Sequence, residues 1–231
     1  MENRDAFLAN IARQLGREAR KQPLPPDVPV NDYARTRLSE LTAQQRCEAF
    51  IKVASEVMLT HCELVEEADA GSAAQRLCEQ YGGSPAIVSG DKRLEELGIT
   101  TKLRDVFQAD VWDPSAGAEN IARAERAKVG VVYAEYGLVE SGGVVLFSSA
   151  ERGRSVSLLP ESSLFVLRKS TIIPRVAQLA QALHQRASQG ERMPSCINLI
   201  SGPSSTADIE LIKVVGVHGP ISAACLIIND C

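Results

Sequence analysis

The chain is poor in aromatic side chains: five Phe, four Tyr and one Trp in 231 residues. So few rings leave little on which nucleic-acid bases could stack. A formal charge of −4, from 25 basic and 29 acidic residues, lacks the basic footprint of a nucleic-acid binder. No apolar stretch nears the ~18 residues that a bilayer crossing requires, and the N-terminal MENRDAFLANIARQLG carries acids that a secretory signal would not. The chain therefore reads as a cytoplasmic protein with no membrane span and no nucleic-acid partner. Its six cysteines, at 47, 62, 78, 196, 225 and 231, are too far apart in sequence for iron–sulfur or zinc clusters, and His61 and His218 are too isolated to claim a metal. HExxH, P-loop, CxxC and GxSxG strings are absent, and no strand leads into GxGxxG. Neither a metal nor a cofactor is expected in this chain.

What is present reads as one α/β domain with an N-terminal extension. Phe7, Leu8, Ile11, Ala12 and Leu15 follow helical spacing up to Gly16. Residues 21–29 then hold four of the eleven prolines and predict an extended linker. These observations divide the chain into residues 1–30, a helix plus proline-rich linker able to dock on a partner, and residues 31–231, an α/β domain with a helical lead-in over about 31–60. Thr42 opens a helix with Gln45 completing a capping box; its apolar face holds Cys47, Phe50, Ile51, Ala54, Val57 and Met58.

From Cys62, short apolar segments (64–65, 86–88, 111–112) alternate with helical ones near 72–81, 91–107 and 117–126, the pattern of an open, mostly parallel sheet covered by helices on both faces. The second half differs. Apolar runs at 129–134, 144–147, 158–159 and 164–167 crowd together and predict neighbouring strands, including an antiparallel pair. Ser170 is expected to open a long helix striped by Ile172, Ile173, Val176, Leu179, Ala180 and Leu183. Strands at 196–200 and 223–228 complete the sheet.

Two loops carry the candidate chemistry. Residues 201–220, SGPSSTADIELIKVVGVHGP, follow the Ile197–Ile200 run, where Pro203 cannot continue a strand. Ser201, Gly202, Ser204, Ser205 and Thr206 would offer hydroxyls and backbone amides to a small carboxylate or phosphate; Asp208, Glu210 and His218 add ionisable groups. The second loop, Glu140-Ser141-Gly142-Gly143, enters the strand 144–147, and its glycines would let a ligand approach the backbone. A carboxylate there suits a base, a nucleophile or a hydroxyl anchor, so Glu140, Asp208 and His218 are the catalytic candidates. After that strand, Arg152 and Arg154 stand in a turn, where guanidinium groups would clamp an acidic substrate. Solvated turns remain the plainer reading of all these segments.

The strings GVVYAEYGLVESGGVVLFS, SLLPESSLFVL, SGPSSTADIE and GVHGP, in this order and spacing, resemble the LUD family from about residue 43 to the end. The resemblance implies a fold similar to the ribose-5-phosphate isomerase and CoA-transferase group, whose sheets bind phosphorylated or carboxylated ligands at strand ends. It also implies a component of a cytoplasmic system that oxidises L-lactate to pyruvate with two companion proteins carrying the iron–sulfur clusters. Removing two electrons needs an acceptor, and this chain has neither cluster spacing nor a dinucleotide fingerprint, so a subunit is expected rather than a dehydrogenase acting alone. Two departures shift the expected binding role toward backbone amides or Arg152 and Arg154: Gly143 stands where many members have threonine, and Ser205 where many have arginine. A free-standing enzyme of acyl or phosphate chemistry, a scaffold or regulatory subunit, and a homo-oligomer stay open as alternatives.

Overall fold

The computed structural model describes residues 2–19, 28–207 and 212–231. The chain divides into two compact units, residues 1–32 and 33–231. The first holds helix α1 (Glu2–Gln14); most of the expected proline-rich linker lies outside the described residues, as do Asp208 and Glu210.

The second unit opens with α2 (Tyr33–Thr36) and α3 (Ala43–Glu56). The expected capping box is formed: Thr42 Oγ1 accepts from the Gln45 amide while the Gln45 side chain accepts from the Thr42 amide. Then follow β1 (Thr60–Glu66), α4 (Ala70–Gln80), β2 (Ala86–Val88), α5 (Lys92–Glu96), α6 (Ile99–Phe107), β3 (Asp110–Val111), α7 (Ala118–Arg126) and β4 (Val129–Tyr133). The remainder comprises β5 (Tyr136–Leu138), β6 (Gly143–Phe147), α8 (Ser155–Leu158), β7 (Ser162–Arg168), β8 (Ile172–Ile173), α9 (Val176–Ser188), β9 (Ile197–Ile200), the short pair β10 (Ser205–Thr206) and β11 (Val214–Val215), and β12 (Ser222–Asn229). No helix among the described residues is long and apolar enough to cross a membrane.

Six strands form an all-parallel sheet in the order β1-β12-β7-β4-β2-β3. Parallel strands covered on both faces must be apolar on both, and alternate residues here supply two separate cores. Val129, Val131, Tyr133, Leu164, Val166, Ala224, Leu226 and Ile228 pack with the α4 and α6 side chains Leu77 and Leu103. Val132, Phe165, Leu167, Cys225 and Ile227 pack instead with Phe50 of α3, Ala124 of α7 and Val156 of α8. Gly130 in β4 has no room for a Cβ, which would overlap the Val156 carbonyl, so α8 lies directly on the sheet.

A second sheet, β8-β5-β6-β9, joins this latter core through Val144 and Leu146. Its antiparallel pairings join β6 to β5 and to β9; the antiparallel pair expected among residues 129–134, 144–147, 158–159 and 164–167 is not formed, because β4 and β7 run parallel and β6 and β9 lie in this second sheet. Its other face, Val145 and Phe147, packs on Leu179 and Leu183 of α9. Two further local expectations are overturned. Ile172 and Ile173 do not open the long helix but form β8, paired in parallel with β5; Pro174 separates them from α9, since a residue before proline disfavours helical backbone. Leu158 and Leu159 end the short α8 and are exposed rather than forming a strand.

A candidate anion site at the switch point of the parallel sheet

The order of the parallel sheet reverses once. From β2 the chain adds β3 on one side, then returns to place β4 on the other and builds outward through β7 and β12. Loops leaving the carboxyl ends of two strands at such a reversal diverge and open a crevice, where open α/β sheets bind ligands. Here the loops are Ser89-Gly90-Asp91 after β2 and Ala134-Glu135 after β4.

One guanidinium ties the two together. Asp91 caps α5 by accepting from the Arg93 amide, which brings the Arg93 side chain back over the crevice. Its Nε and Nη2 donate to Asp91 at 2.9 and 2.6 Å, and its Nη1 and Nη2 donate to Glu135 at 2.9 and 2.7 Å. Such two-pronged charge-assisted bonds fix geometry as well as supplying energy. The guanidinium also lies 4.0 Å from the centre of the Tyr133 ring. Arg152 closes the group, with Nη1 at 2.6 Å from Glu135 Oε1 and 3.7 Å from Asp91 Oδ2.

Arg152 comes from a loop, and packing explains how it is held. The Gly90 amide donates to the Glu151 carbonyl at 3.0 Å, and Trp112 Nε1 donates to the Ala150 carbonyl at 2.8 Å. Gly153 lies flat on the Trp112 ring, where a Cβ would overlap it. Arg152 Nε donates to Ser149 Oγ. Its Nη2 has no protein partner among the described residues, and Arg152 borders a cleft of about 570 Å3 with Asp91, Arg93, Glu135 and Phe147.

The Asp91 side chain is only 6% exposed. Burial alone would push its carboxyl up, but the bonds and charge of Arg93, with the charge of Arg152, outweigh it and hold the group below the usual carboxylate range. For Arg93, burial works against the charged form, and Asp91 and Glu135 more than restore it. Burial raises the Tyr133 phenol, partly countered by Arg93. The site is thus a fixed network of two cations and two anions that borders the cleft and leaves guanidinium donors unused, suited to holding a carboxylate or phosphate while a protein carboxylate stands beside it.

A model of the LUD domain matches residues 47–228, which takes in most of α3, both sheets and the switch-point residues. The chain belongs to the LUD domain family. Uncharacterized protein YkgG of Escherichia coli K12 is 68% identical over 231 residues, covering 100% of both chains. Lactate utilization protein C of Bacillus licheniformis is 40% identical, and that of Bacillus subtilis 38%, each covering 100% of this chain and 98% of the relative. Among solved structures, a DUF162 family protein from Deinococcus radiodurans superposes with a TM-score of 0.56 at 19% identity, over 82% of this chain and 99% of that one. That likeness supports the fold.

Within this LUD domain the residues singled out from sequence fall into two groups, at opposite ends of β6. Arg152 belongs to the switch-point network, while Arg154 is exposed, with Nη1 4.0 Å from Cys196 Sγ. Glu140, Ser141, Gly142 and Gly143 lie at the start of β6, whose two ends are about 14 Å apart at a rise of roughly 3.4 Å per residue. Glu140 accepts from Arg175 Nε at 2.7 Å and stands 3.7 Å from Arg37, so it fastens the β5–β6 turn to α9 and the segment after α2. Gly142 has φ +59°, and a Cβ there would come 2.6 Å from the Ala54 amide nitrogen; a Cβ on Gly143 would overlap Ser201 Oγ. These glycines admit neighbouring protein.

Gly202, with φ +75°, similarly presses on the Met58 carbonyl. Ser201, Gly202, Ser204, Ser205 and His218 line a separate cleft of about 410 Å3 with Ser157, Ser163 and Ala223, beside the amino ends of β7 and β12. The Ser163 and Ser157 hydroxyls there are spent on the Ser157 and Arg154 carbonyls. Thr206 pairs with Val214 in the β10–β11 ribbon. The two loops touch where Gly143 meets Ser201, away from Arg152. Asp91, Arg93, Tyr133 and Glu135 went unpredicted; the usable signal was that Asp91 and Glu135 each follow a buried strand closely, which becomes informative only with the strand order in hand.

Proposed function

We propose that this chain is the non-redox component of a cytoplasmic system that oxidises L-lactate to pyruvate with iron–sulfur partner proteins, and that its switch-point cleft holds the small carboxylate. The observation that carries this reading is full-length similarity, at 38–40% identity, to proteins named lactate utilization protein C. The cleft supports it on chemical grounds. Arg152 offers its remaining Nη2 donors to the substrate carboxylate, the pairing for which guanidinium geometry is suited. Glu135 Oε1 receives both guanidiniums and Oε2 only Arg93, so Oε2 retains capacity to accept from a 2-hydroxyl group. Positioning the acid and its hydroxyl would be this chain's part, with the two electrons passing to the partners. Burial of Cys47, Cys78 and Cys225 in the cores accords with that division of labour.

The test is lactate-dependent reduction of an electron-accepting dye under anaerobic conditions by the two iron–sulfur companions, with and without this chain, and with its Arg152→Gln variant. Activity that requires the chain and falls at least ~10-fold in the variant, the scale of a lost charge-assisted bond, supports the proposal. Equal activity without the chain refutes it.

A further inference from the structure

We propose that a second cleft, reached from the switch-point site past Arg152, binds a phosphate group of a larger ligand. This cleft, of about 410 Å3, lies between the loop after β6 and the segment joining α9 to β9, and three guanidiniums border it, Arg152, Arg186 and Arg192, against one carboxylate, Glu151. Glu135 and Glu191 pair with Arg152 and Arg186 from beside the cleft, so what the cleft presents is a set of guanidinium N–H donors left over from those pairs rather than a net positive charge.

Two of the three guanidiniums are held in place before any ligand arrives. Arg186 Nε donates to Glu191 at 2.7 Å, and the guanidinium lies 5.2 Å from the centre of the Phe147 ring, leaving its Nη groups free among the described residues. Arg152 is fixed by Ser149 and Glu135 and borders both clefts, its Nη2 being the group proposed above for the carboxylate, so Arg186 and Arg192 carry the phosphate site. Arg192 has no ion pair or hydrogen bond among the described residues. Glu151 forms no ion pair with them among the described residues; its Oε2 accepts from Ser149 Oγ. Ordering these side chains in advance lowers the entropy cost of binding. Three guanidiniums lining one cleft offer more N–H donors than the two oxygens of a carboxylate engage, and suit the three oxygens and double charge of a phosphoryl group. The cleft shares Phe147, Ser149, Glu151, Arg152 and Arg186 with the switch-point cleft, so the two are continuous. Cavities of roughly 300–1,000 Å3 accommodate drug-sized ligands, and each of these alone falls in that range, far more than a three-carbon acid needs.

This inference stands apart from the lactate reading, because its test is direct binding to the isolated full chain. Calorimetric titration with inorganic pyrophosphate, at a fixed ionic strength of 150 mM, is run on the wild type, on the double variant Arg186→Gln/Arg192→Gln, and on Arg76→Gln, a surface arginine paired with Glu63. Melting curves establish that each variant is folded. Saturable one-site binding by the wild type, unchanged in Arg76→Gln and weakened at least ~10-fold in the double variant, is expected. Absence of saturable binding, equal affinity in the double variant, or tighter binding of citrate than of pyrophosphate would overturn it.

Discussion

Replacing Arg93 by methionine removes the guanidinium that binds two carboxylates while keeping much of its apolar stem. Four charge-assisted hydrogen bonds go, two to Asp91 and two to Glu135, along with the stacking on Tyr133. Removing one member of a buried ion pair costs about 3–5 kcal/mol because the partner is left charged and dry. Asp91 is 6% exposed and fits that case, but Arg93 itself is 34% exposed and Arg152 stays near both carboxylates, so solvent screening reduces the loss. The expected destabilisation at pH 7.5 is about 2–3 kcal/mol, or roughly 4–12 °C in Tm for a chain of this size.

Its pH dependence identifies the cause. In the wild type the Asp91 carboxyl lies below its unfolded value of about 3.9, so its contribution to stability is complete above that value and is lost as pH falls through the lower folded one. Without Arg93, burial dominates and raises the carboxyl, so protonation relieves the variant at a higher pH than it affects the wild type. The stability gap should therefore narrow between pH 7.5 and pH 4.5. Urea denaturation at several pH values measures it, with Arg76→Met, an exposed pair expected to cost less than ~1 kcal/mol, as the reference. A gap under about 0.5 kcal/mol, or one unchanged across this range, would refute the account of Asp91 and Arg93 as a tightly coupled pair.

The capping box at Thr42 and the buried runs of β2, β4, β6, β7 and β12 were legible because each is specified within a few neighbouring residues. Ile172 and Ile173 misled because their spacing to Val176 and Leu179 fits a helical stripe; the deciding facts were Pro174 and a vacancy beside β5 that only the assembled sheet defines. Leu158-Leu159 misled through composition alone, since the dipeptide sits on the exposed side of a turn of helix that Gly130 admits onto β4. The site was less legible still. Asp91, Arg93, Glu135 and Arg152 span 62 positions and become neighbours only because β4 lies beside β2 and because Gly153 and Trp112 dock the loop after β6. The serine and glycine loops advertised conformational freedom correctly, yet at Gly142, Gly143 and Gly202 that freedom accommodates α3, the segment following it and Ser201. Glycine tells that something approaches the backbone, without telling whether it is ligand or protein.

Two further substitutions separate support from chemistry. Gly153→Ala puts a methyl group into the Trp112 ring; it should cost about 1–3 kcal/mol in urea denaturation, as overpacking does, and shift Arg152 enough to lower reconstituted lactate-dependent dye reduction. Unchanged stability would show that the loop does not need its close seat on Trp112. The second comparison sets Glu135→Gln against Glu140→Gln in the same reconstituted assay. Glu135 is 18% exposed, between two guanidiniums at the carboxyl edge of the parallel sheet. Glu140 is 35% exposed and occupied by Arg175 and Arg37 at the far end of β6. Both changes are nearly isosteric, so a difference in rate reflects the role of the charge rather than of shape. Glu135→Gln should reduce the rate at least ~10-fold, the scale of a charge-assisted contact to substrate, while Glu140→Gln should lower stability by less than ~1 kcal/mol, as for other exposed pairs, and leave the rate within about twofold. The reverse pattern would move the chemistry to the end of β6 that carries Ser141 and Ser201, because no substrate of three carbons reaches both ends of a strand about 14 Å long.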